Sequence, residues 1–416
     1  MSFNPFNEKP KKIEKTMESW NKIFVEPYNK DEVDPFTKVR IILMNGTEFE
    51  MNWHSHQFAR HCVDNEVRRE IALLRRVEQE QQKKIASLKP INENILETTI
   101  SYEQLAIELT AILAQREKDM NVKKALDFAL LEDFDHLYRF SNLLMMEHAI
   151  DAKNLVGGFT EITPGRPTIS EHRHPFDNIR LAGNNKKADP ITRLNVAIIT
   201  AAEQQTMNYY MNVANLYPSE MGRKLFSEIG IIEEQHVSQY ESLMDPTCTW
   251  LTSLLEHEYT ECYLYYSMIN DETDSRIKNI WEVCLEQEIA HLYKANELLK
   301  TYENRDWTSI YQRGEFPELL KFGANKEYIR KVLKNTVYNT SMFEKYVNIN
   351  DVPENYEYFK LQNILNKNVA SVPSHKVINL YLKNYDKDYR YEDSLNPVKE
   401  LRDRTQDNTT VGREKY

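Results

Sequence analysis

Glu233-Glu234-Gln235-His236, in the middle of the amphipathic segment from Ser219 to Met244, is the stretch on which the fold turns. Residues three apart lie on one helix face, so Glu233 and His236 can serve one metal ion from a single turn. The pattern recurs. Glu203 lies thirty residues before Glu233, and 55 residues after Glu203, Glu233 and His236 come Glu258, Glu288 and His291. A looser copy sits 100 residues upstream as Glu103, Asp133 and His136. Three hairpins thus carry one pattern: an acid, thirty residues, then an acid with histidine at plus three.

A single E-x-x-H means little, because glutamate and histidine fall three apart by chance in many helices. The repetition matters, and so does the face. Glu203 shares its stripe with Val196, Ile199, Met207 and Tyr210; Glu233 lies with Phe226, Ile229, Val237 and Tyr240. Glu258 lies with Leu251, Leu254, Leu255 and Tyr265, and Glu288 with Trp281, Leu285 and Leu292. Asp133 falls among Leu126, Leu130, Leu137 and Phe140, and Glu103 among Ile100, Ile107 and Thr110. These are inward stripes of amphipathic helices, where ionised carboxylates are very costly unless they share a cation. Antiparallel pairing brings each acid level with its acid-histidine pair. Two hairpins then offer four carboxylates and two imidazoles, a ligand set suited to a dinuclear iron or manganese site inside a four-helix bundle.

Composition agrees with a helical body. The chain has 416 residues, 41% of them hydrophobic, and only 10 glycines, while Ala, Leu, Glu, Lys and Gln fill its middle. A net charge of -11 argues against nucleic acid or an anionic membrane as the main partner. No apolar run approaches the roughly 20 residues of a membrane span, and the polar start is no secretory signal, so a soluble, cytoplasmic protein is expected. Cys62, Cys248, Cys262 and Cys284 form no C-x-x-C pair, which removes a thiolate zinc or rubredoxin-type iron site and leaves reduced core thiols. No haem, flavin or nucleotide signal is present.

Four segments are expected along the chain. Residues 1–54 form an N-terminal segment in which KVRIILM, Asn45-Gly46 and TEFEMNW predict a β-hairpin with Val39, Ile41, Leu43, Phe49, Met51 and Trp53 on its buried side. Residues 55–300 form the helical body, opening with one long charged helix from about Gln57 to Leu88, where His54, His56 and His61 cluster as packing or surface groups. Within it, residues 150–189 form a long crossover, with Pro164-Gly165-Arg166-Pro167 and His172-Arg173-His174 as a cover or gate. Asp189-Pro190, Pro218-Ser219 and Asp245-Pro246 open the helices that follow. Residues 301–386 form a helical C-terminal extension, and the polar tail 387–416 is expected to be disordered.

Over residues 92 to 300 the motifs and their spacing resemble the ferritin-like superfamily of carboxylate-bridged dimetal proteins. Glu258 and Glu261 followed by Glu288 and His291 resemble the second half of a rubrerythrin core. The fold class this implies is mainly α, a ferritin-like helical bundle enlarged to six or more helices, with a small N-terminal β-hairpin and a helical C-terminal extension. It implies that Glu203, Glu233, His236, Glu258, Glu288 and His291, or the same residues with Glu103, Asp133 and His136 replacing one hairpin, hold two Fe ions or Mn. Glu261 resembles the extra carboxylate that rubrerythrins use to follow a moving iron. The resemblance is imperfect, since such bundles need two hairpins and this chain shows three. The long crossover favours the first hairpin pairing with the second or third; ligand quality favours the second with the third, and a further site from the spare hairpin stays open.

The expected function is a dimetal redox protein, an oxidoreductase acting on peroxide, O2 or a small organic substrate, with an external electron donor and self-association as open questions. The alternatives are an iron-handling ferroxidase without a dedicated substrate, and a non-catalytic helical scaffold for a protein partner. Tyr209, Tyr210, Tyr240, Tyr265, Tyr266 and Tyr293 lie around the motif helices, where core packing is their ordinary role.

Overall fold

The structure is a computed structural model that describes residues 3–416. From the N-terminus the chain forms α1 (Trp20–Ile23), α2 (Pro35–His61), α3 (Asn65–Ala86), α4 (Ile95–Arg116) and α5 (Met120–His148). Two single turns, α6 (Ala152–Leu155) and α7 (Thr168–Glu171), interrupt the crossover to α8 (Pro190–Leu216). Then come α9 (Glu220–Glu241), α10 (Trp250–Asp271) and α11 (Ser275–Glu303). The C-terminal stretch holds α12 (Lys326–Thr336), strands β1 (Asn339–Met342) and β2 (Lys345–Asn348), α13 (Glu357–Leu365) and α14 (Pro373–Tyr385). Among the described residues β1 and β2 form one two-stranded antiparallel sheet, pairing Asn339 with Asn348 and Met342 with Lys345. No helix of the described residues is long and apolar enough to cross a membrane.

The long helices start where local chemistry satisfies their first amides. Asn94 and Glu97 form a reciprocal capping box on α4. Asp119, Ser219 and Asp274 cap α5, α9 and α11 through their side-chain oxygens. Helix α10 begins at Trp250, capped by Thr249, rather than directly at Asp245-Pro246.

The chain divides into two compact units. Unit 1 comprises Met1–Glu93, Gly183–Ala202 and Met244–Phe322; unit 2 comprises Asn94–Ala182, Glu203–Leu243 and Gly323–Tyr416. The motif helices are therefore shared between two units rather than merged in one enlarged bundle. In unit 1, α2 packs on α3 and α10 on α11, while contacts of α2 with α10 and α3 with α11 close a four-helix arrangement. In unit 2, α4 pairs with α5, and α5 also packs on α9. The unit 2 half of α8 joins through Tyr209, stacked on Tyr102 at 4.3 Å, and Tyr210, set against Phe226 at 5.5 Å.

The expected N-terminal β-hairpin is instead the 27-residue helix α2. Asp34 accepts a hydrogen bond from the Phe36 amide at 2.8 Å, and Pro35 occupies the first helical position. Buried Phe36, Leu43, Met51 and Phe58 fall seven or eight residues apart, a helical stripe, whereas Trp53, assigned to the hairpin's inner side, is 49% exposed. Asn45-Gly46 thus sits inside a helix. A glycine there costs about 1 kcal/mol relative to alanine, which tertiary packing over a long amphipathic face readily exceeds. The single helix expected from Gln57 is also split, because α2 runs to His61 and Asp64 caps α3.

The tail after Lys387 is not disordered. Ile162 and Tyr391 exchange backbone hydrogen bonds at 2.8 and 2.9 Å, and Val398, Leu401 and Val411 enter the unit 2 core. Its polar residues are spent internally. Asp388 pairs with Arg390 at 2.6 Å and with Arg404 at 3.0 Å, and Asp407 receives Arg139 at 2.7 Å. Composition alone suggested solvated charges because it does not reveal their partners. The crossover is irregular, as expected, and closely laid on α5. A Cβ on Gly165 would meet the Leu131 carbonyl oxygen at 2.4 Å, so only glycine fits that approach.

Candidate metal centres

Each unit encloses a cluster of acids and histidine on its long helices. In unit 1, Glu78 (α3), Glu258 (α10), Glu288 and His291 (α11) offer ligand atoms all within 4.8 Å of one another. Glu48 (α2), Glu78 and Glu261 (α10) form a second group of the same tightness, so Glu78 belongs to both. In unit 2, Asp133 (α5), Glu203 (α8), Glu233 and His236 (α9) form one group, and Glu103 (α4), Asp133 and His136 (α5) the other. Here Asp133 is the shared acid. Every one of these side chains is buried.

The sequence-derived candidates all lie in these clusters, with a different pairing from the one ligand quality favoured. Glu203, Glu233 and His236 meet Glu103, Asp133 and His136, whereas Glu258, Glu261, Glu288 and His291 meet two acids of the N-terminal helices. Those two, Glu48 and Glu78, escaped notice although the signal was there. Glu48 and Glu78 are thirty residues apart and precede Glu103 and Asp133 by 55, the same offset that separates Glu203 from Glu258. The copy is hidden because Gln81 stands where the other hairpins have histidine, and because Asn45-Gly46 suggests a strand around Glu48.

The histidines present Nδ1 to the acids. In unit 2, His236 Nδ1 lies 3.4 Å from Asp133, 3.4 Å from Glu233 and 3.7 Å from Glu203. His136 Nδ1 lies 3.0 Å from Glu233. In unit 1, His291 Nδ1 lies 2.7 Å from Glu78, 3.3 Å from Glu288 and 3.7 Å from Glu258.

Behind the imidazoles the units differ. His236 Nε2 meets Glu132 at 2.7 Å, and His136 Nε2 meets Glu171 of the crossover at 2.9 Å. A carboxylate on the far nitrogen fixes the tautomer and leaves Nδ1 as the donor to a cation. Glu132 is itself held by Arg173 at 2.9 Å and Arg166 at 3.3 Å. The crossover therefore supplies supporting charge to the centre, and Arg173 also donates its amide to Gln235 at 3.1 Å. His172 faces Glu228 at 3.4 Å, and half-buried His174 caps a short turn, so neither enters the cluster. In unit 1, His291 Nε2 has no partner among the described residues. Gln81 instead donates to Glu288.

Two tyrosines touch ligand-set acids at matching places. Tyr210 donates to Glu103 in unit 2 and Tyr265, 55 residues later, donates to Glu48 in unit 1. Three further histidines have partners outside both clusters. His54 bonds Ser253 at 3.0 Å, His257 pairs with Glu50, and His61 stacks on Trp250.

Electrostatics show how much these acids require a counter-charge. Burial, reinforced by Glu78, raises Glu48, Glu258 and Glu261 well above the carboxylate range, and burial with Glu78 also raises Glu288. Burial alone would lower His291, yet Glu78 and Glu288 hold it well above the usual imidazole value. In unit 2, burial raises Glu203 to about 7 and carries Glu103 and Asp133 well up. Burial opposes ionisation of Glu233 too, but His136 and His236 outweigh it and bring it to about 2. Glu132 reaches about 2 as well, since Arg173, His236 and Arg166 overcome its burial.

Both oxygens of Glu258 and Glu261 in unit 1, and of Asp133 and Glu203 in unit 2, accept no hydrogen bond among the described residues. A buried, unpartnered carboxylate costs several kcal/mol, so one is retained where something compensates it. Converging oxygen donors with one or two imidazoles could hold metal ions. Compared with known proteins, the chain matches no family model, no curated protein and no solved structure.

Proposed function

We propose that the chain is a ferritin-like, carboxylate-bridged dimetal protein with one centre in each unit, acting as an oxidoreductase on peroxide, O2 or a small organic substrate. The observation that carries this is the buried convergence of acids around one shared carboxylate in each unit, Glu78 or Asp133, with oxygens that nothing else in the described chain satisfies. When bound, iron or manganese supplies the electron-transfer chemistry that protein side chains lack.

The chain's own residues set geometry and access. Glu78 and Asp133, which each belong to two ligand groups, would help to hold both ions of their units, and the remaining acids of the flanking helices would complete the set. Glu132 and Glu171 hold the Nε2 protons of His236 and His136. Tyr265 and Tyr210 each keep a phenolic proton against one acid, which leaves the other oxygen of that acid for a cation. Burial excludes bulk water, which strengthens every charge interaction inside.

Metal analysis of protein from iron-replete expression, purified anaerobically, tests the assignment together with an anomalous-scattering map. About two ions per centre are expected. Metal-free protein would overturn the reading. Consumption of peroxide or O2 by the loaded protein, absent after Glu78→Gln with Asp133→Asn, tests the redox part.

A further inference from the structure

The 55-residue offset lets the two centres be compared position by position, and three exchanges stand out. Gln81 replaces His136, Glu261 replaces Thr206, and Val77 replaces Glu132. The first two act together, because Glu261 joins Glu48 and Glu78 in unit 1 as His136 joins Glu103 and Asp133 in unit 2. A neutral nitrogen donor has been exchanged for an anionic oxygen donor.

Charge counting gives this exchange a consequence. Ligating carboxylates are ionised and ligating imidazoles neutral. Unit 2 offers Glu103, Asp133, Glu203 and Glu233 with two imidazoles, four negative charges in all. Unit 1 offers Glu48, Glu78, Glu258, Glu261 and Glu288 with one imidazole, five negative charges. Two divalent ions neutralise the first set and leave one charge uncompensated in the second. The surroundings do not restore the balance. In unit 2, Arg166 and Arg173 both pair with Glu132 while Glu171 pairs with His136, so two buried cations stand beside the two buried acids outside the ligand set. In unit 1, buried Lys84 is committed to Glu18, and buried Arg40 to Asp271 and Glu272. A net charge in a fully buried site is costly.

We propose that the two centres select different total metal charge: unit 2 holds a divalent pair, and unit 1 holds one divalent and one trivalent ion. This rests on both clusters being dimetal centres. Glu261 is the residue that sets the difference, and both its oxygens are buried without a hydrogen-bond partner, as an acceptor reserved for extra positive charge requires.

Single-centre variants test it. Asp133→Asn with Glu233→Gln leaves only unit 1 competent; Glu78→Gln with Glu288→Gln leaves only unit 2. Each is stripped, checked by circular dichroism, loaded with Co(II) alone or with Co(II) followed by gallium(III) citrate, desalted and assayed for metal. Both variants should hold Co(II), whereas the unit 1 variant should retain roughly tenfold more gallium than the unit 2 variant. Adding Gln81→His with Glu261→Thr to the unit 1 variant should abolish that advantage. Equal gallium retention, or retention indifferent to the exchange, overturns the charge assignment while Co(II) binding keeps the dimetal reading. Failure of both centres to bind Co(II) overturns both. If a single-centre variant loses its helix content, Gln81→His with Glu261→Thr in the otherwise unaltered chain decides the same question: a fall in gallium per chain supports the charge assignment, and an unchanged amount overturns it.

Discussion

In unit 2 each histidine is gripped from behind, His236 by Glu132 and His136 by Glu171, and Arg166 and Arg173 hold Glu132 in turn. In unit 1, His291 turns the same nitrogen toward its acids and has no partner on the other among the described residues, because Val77 stands where unit 2 has Glu132. The acids that face the centre keep their spacing across the two units, while the residues that support them do not. Support is a separate property from ligation, set by residues beside the motif and, for Glu171, by a crossover that unit 1 does not possess. Two clusters with nearly the same ligand spacing can therefore differ in affinity, charge preference and resistance to metal loss.

Removing the shared acid should separate the units most sharply. Glu78→Gln is expected to empty unit 1 of both ions and Asp133→Asn to empty unit 2, each lowering bound metal by about half while the other centre stays loaded. Metal counting on each variant checks this, and loss of all metal from either one would break the picture of independent centres.

Stripping the metals comes next. At roughly a thousandfold excess of metal over Kd, bound ions stabilise the folded state by about 4 kcal/mol, so chelation should lower the unfolding temperature markedly. The stripped protein should also become pH-sensitive. Glu48, Glu258, Glu261 and Glu288 have folded-state values above the unfolded one, and so has His291. Their contribution is therefore greatest at low pH and is lost as pH rises, from about 4.5 for the four glutamates and from about 6.5 for His291. Glu132 and Glu233 lie at about 2, so what they contribute is present above about pH 4.5 and lost only as pH falls toward 2. Glu103, Asp133 and Glu203 are raised in the same way in unit 2, so calorimetry of stripped protein between pH 5 and about 8 should show both transitions falling as pH rises. A flat profile for unit 1 would mean that its acids are not constrained as described.

Glu132→Gln should weaken metal binding in unit 2 by about 10-fold to 100-fold, the usual cost of losing a carboxylate behind a ligating histidine. Unit 1 affinity, measured in the same titration, should not change. Tyr210→Phe and Tyr265→Phe should have the smallest effects, about 2 kcal/mol each from a lost hydrogen bond to a buried acid. Thermal unfolding of the metal-bound variants checks that size, and equal losses in the two units would show that this pair was duplicated with its acid.

Much of this was legible in residue order. The ten candidate ligands, the helical body and the crossover's irregular character follow from spacing, apolar stripes and turn residues. What was missed has a common cause. At Asn45-Gly46 a strong local turn signal conflicted with a longer helical stripe, and the short window prevailed over the Asp34-Pro35 start that marked the helix. At Gln81 the repeat lacks its histidine, so the copy that holds Glu48 and Glu78 does not show the acid-histidine pair. In the tail, Asp388, Arg390 and Arg404 looked solvated because composition does not distinguish a free charge from a paired one.

By itself, then, the sequence determined that acids and histidines recur at helical spacing on apolar faces, where buried carboxylates could gather around a cation. Only the tertiary structure decided which hairpins share a centre, pairing the first with the second and the third with a fourth that lacks its histidine. Helical periodicity is a property of each segment and is written locally. The partner of a buried charge is chosen across the fold, where Val77 in place of Glu132 and the return of Glu171 to His136 become visible.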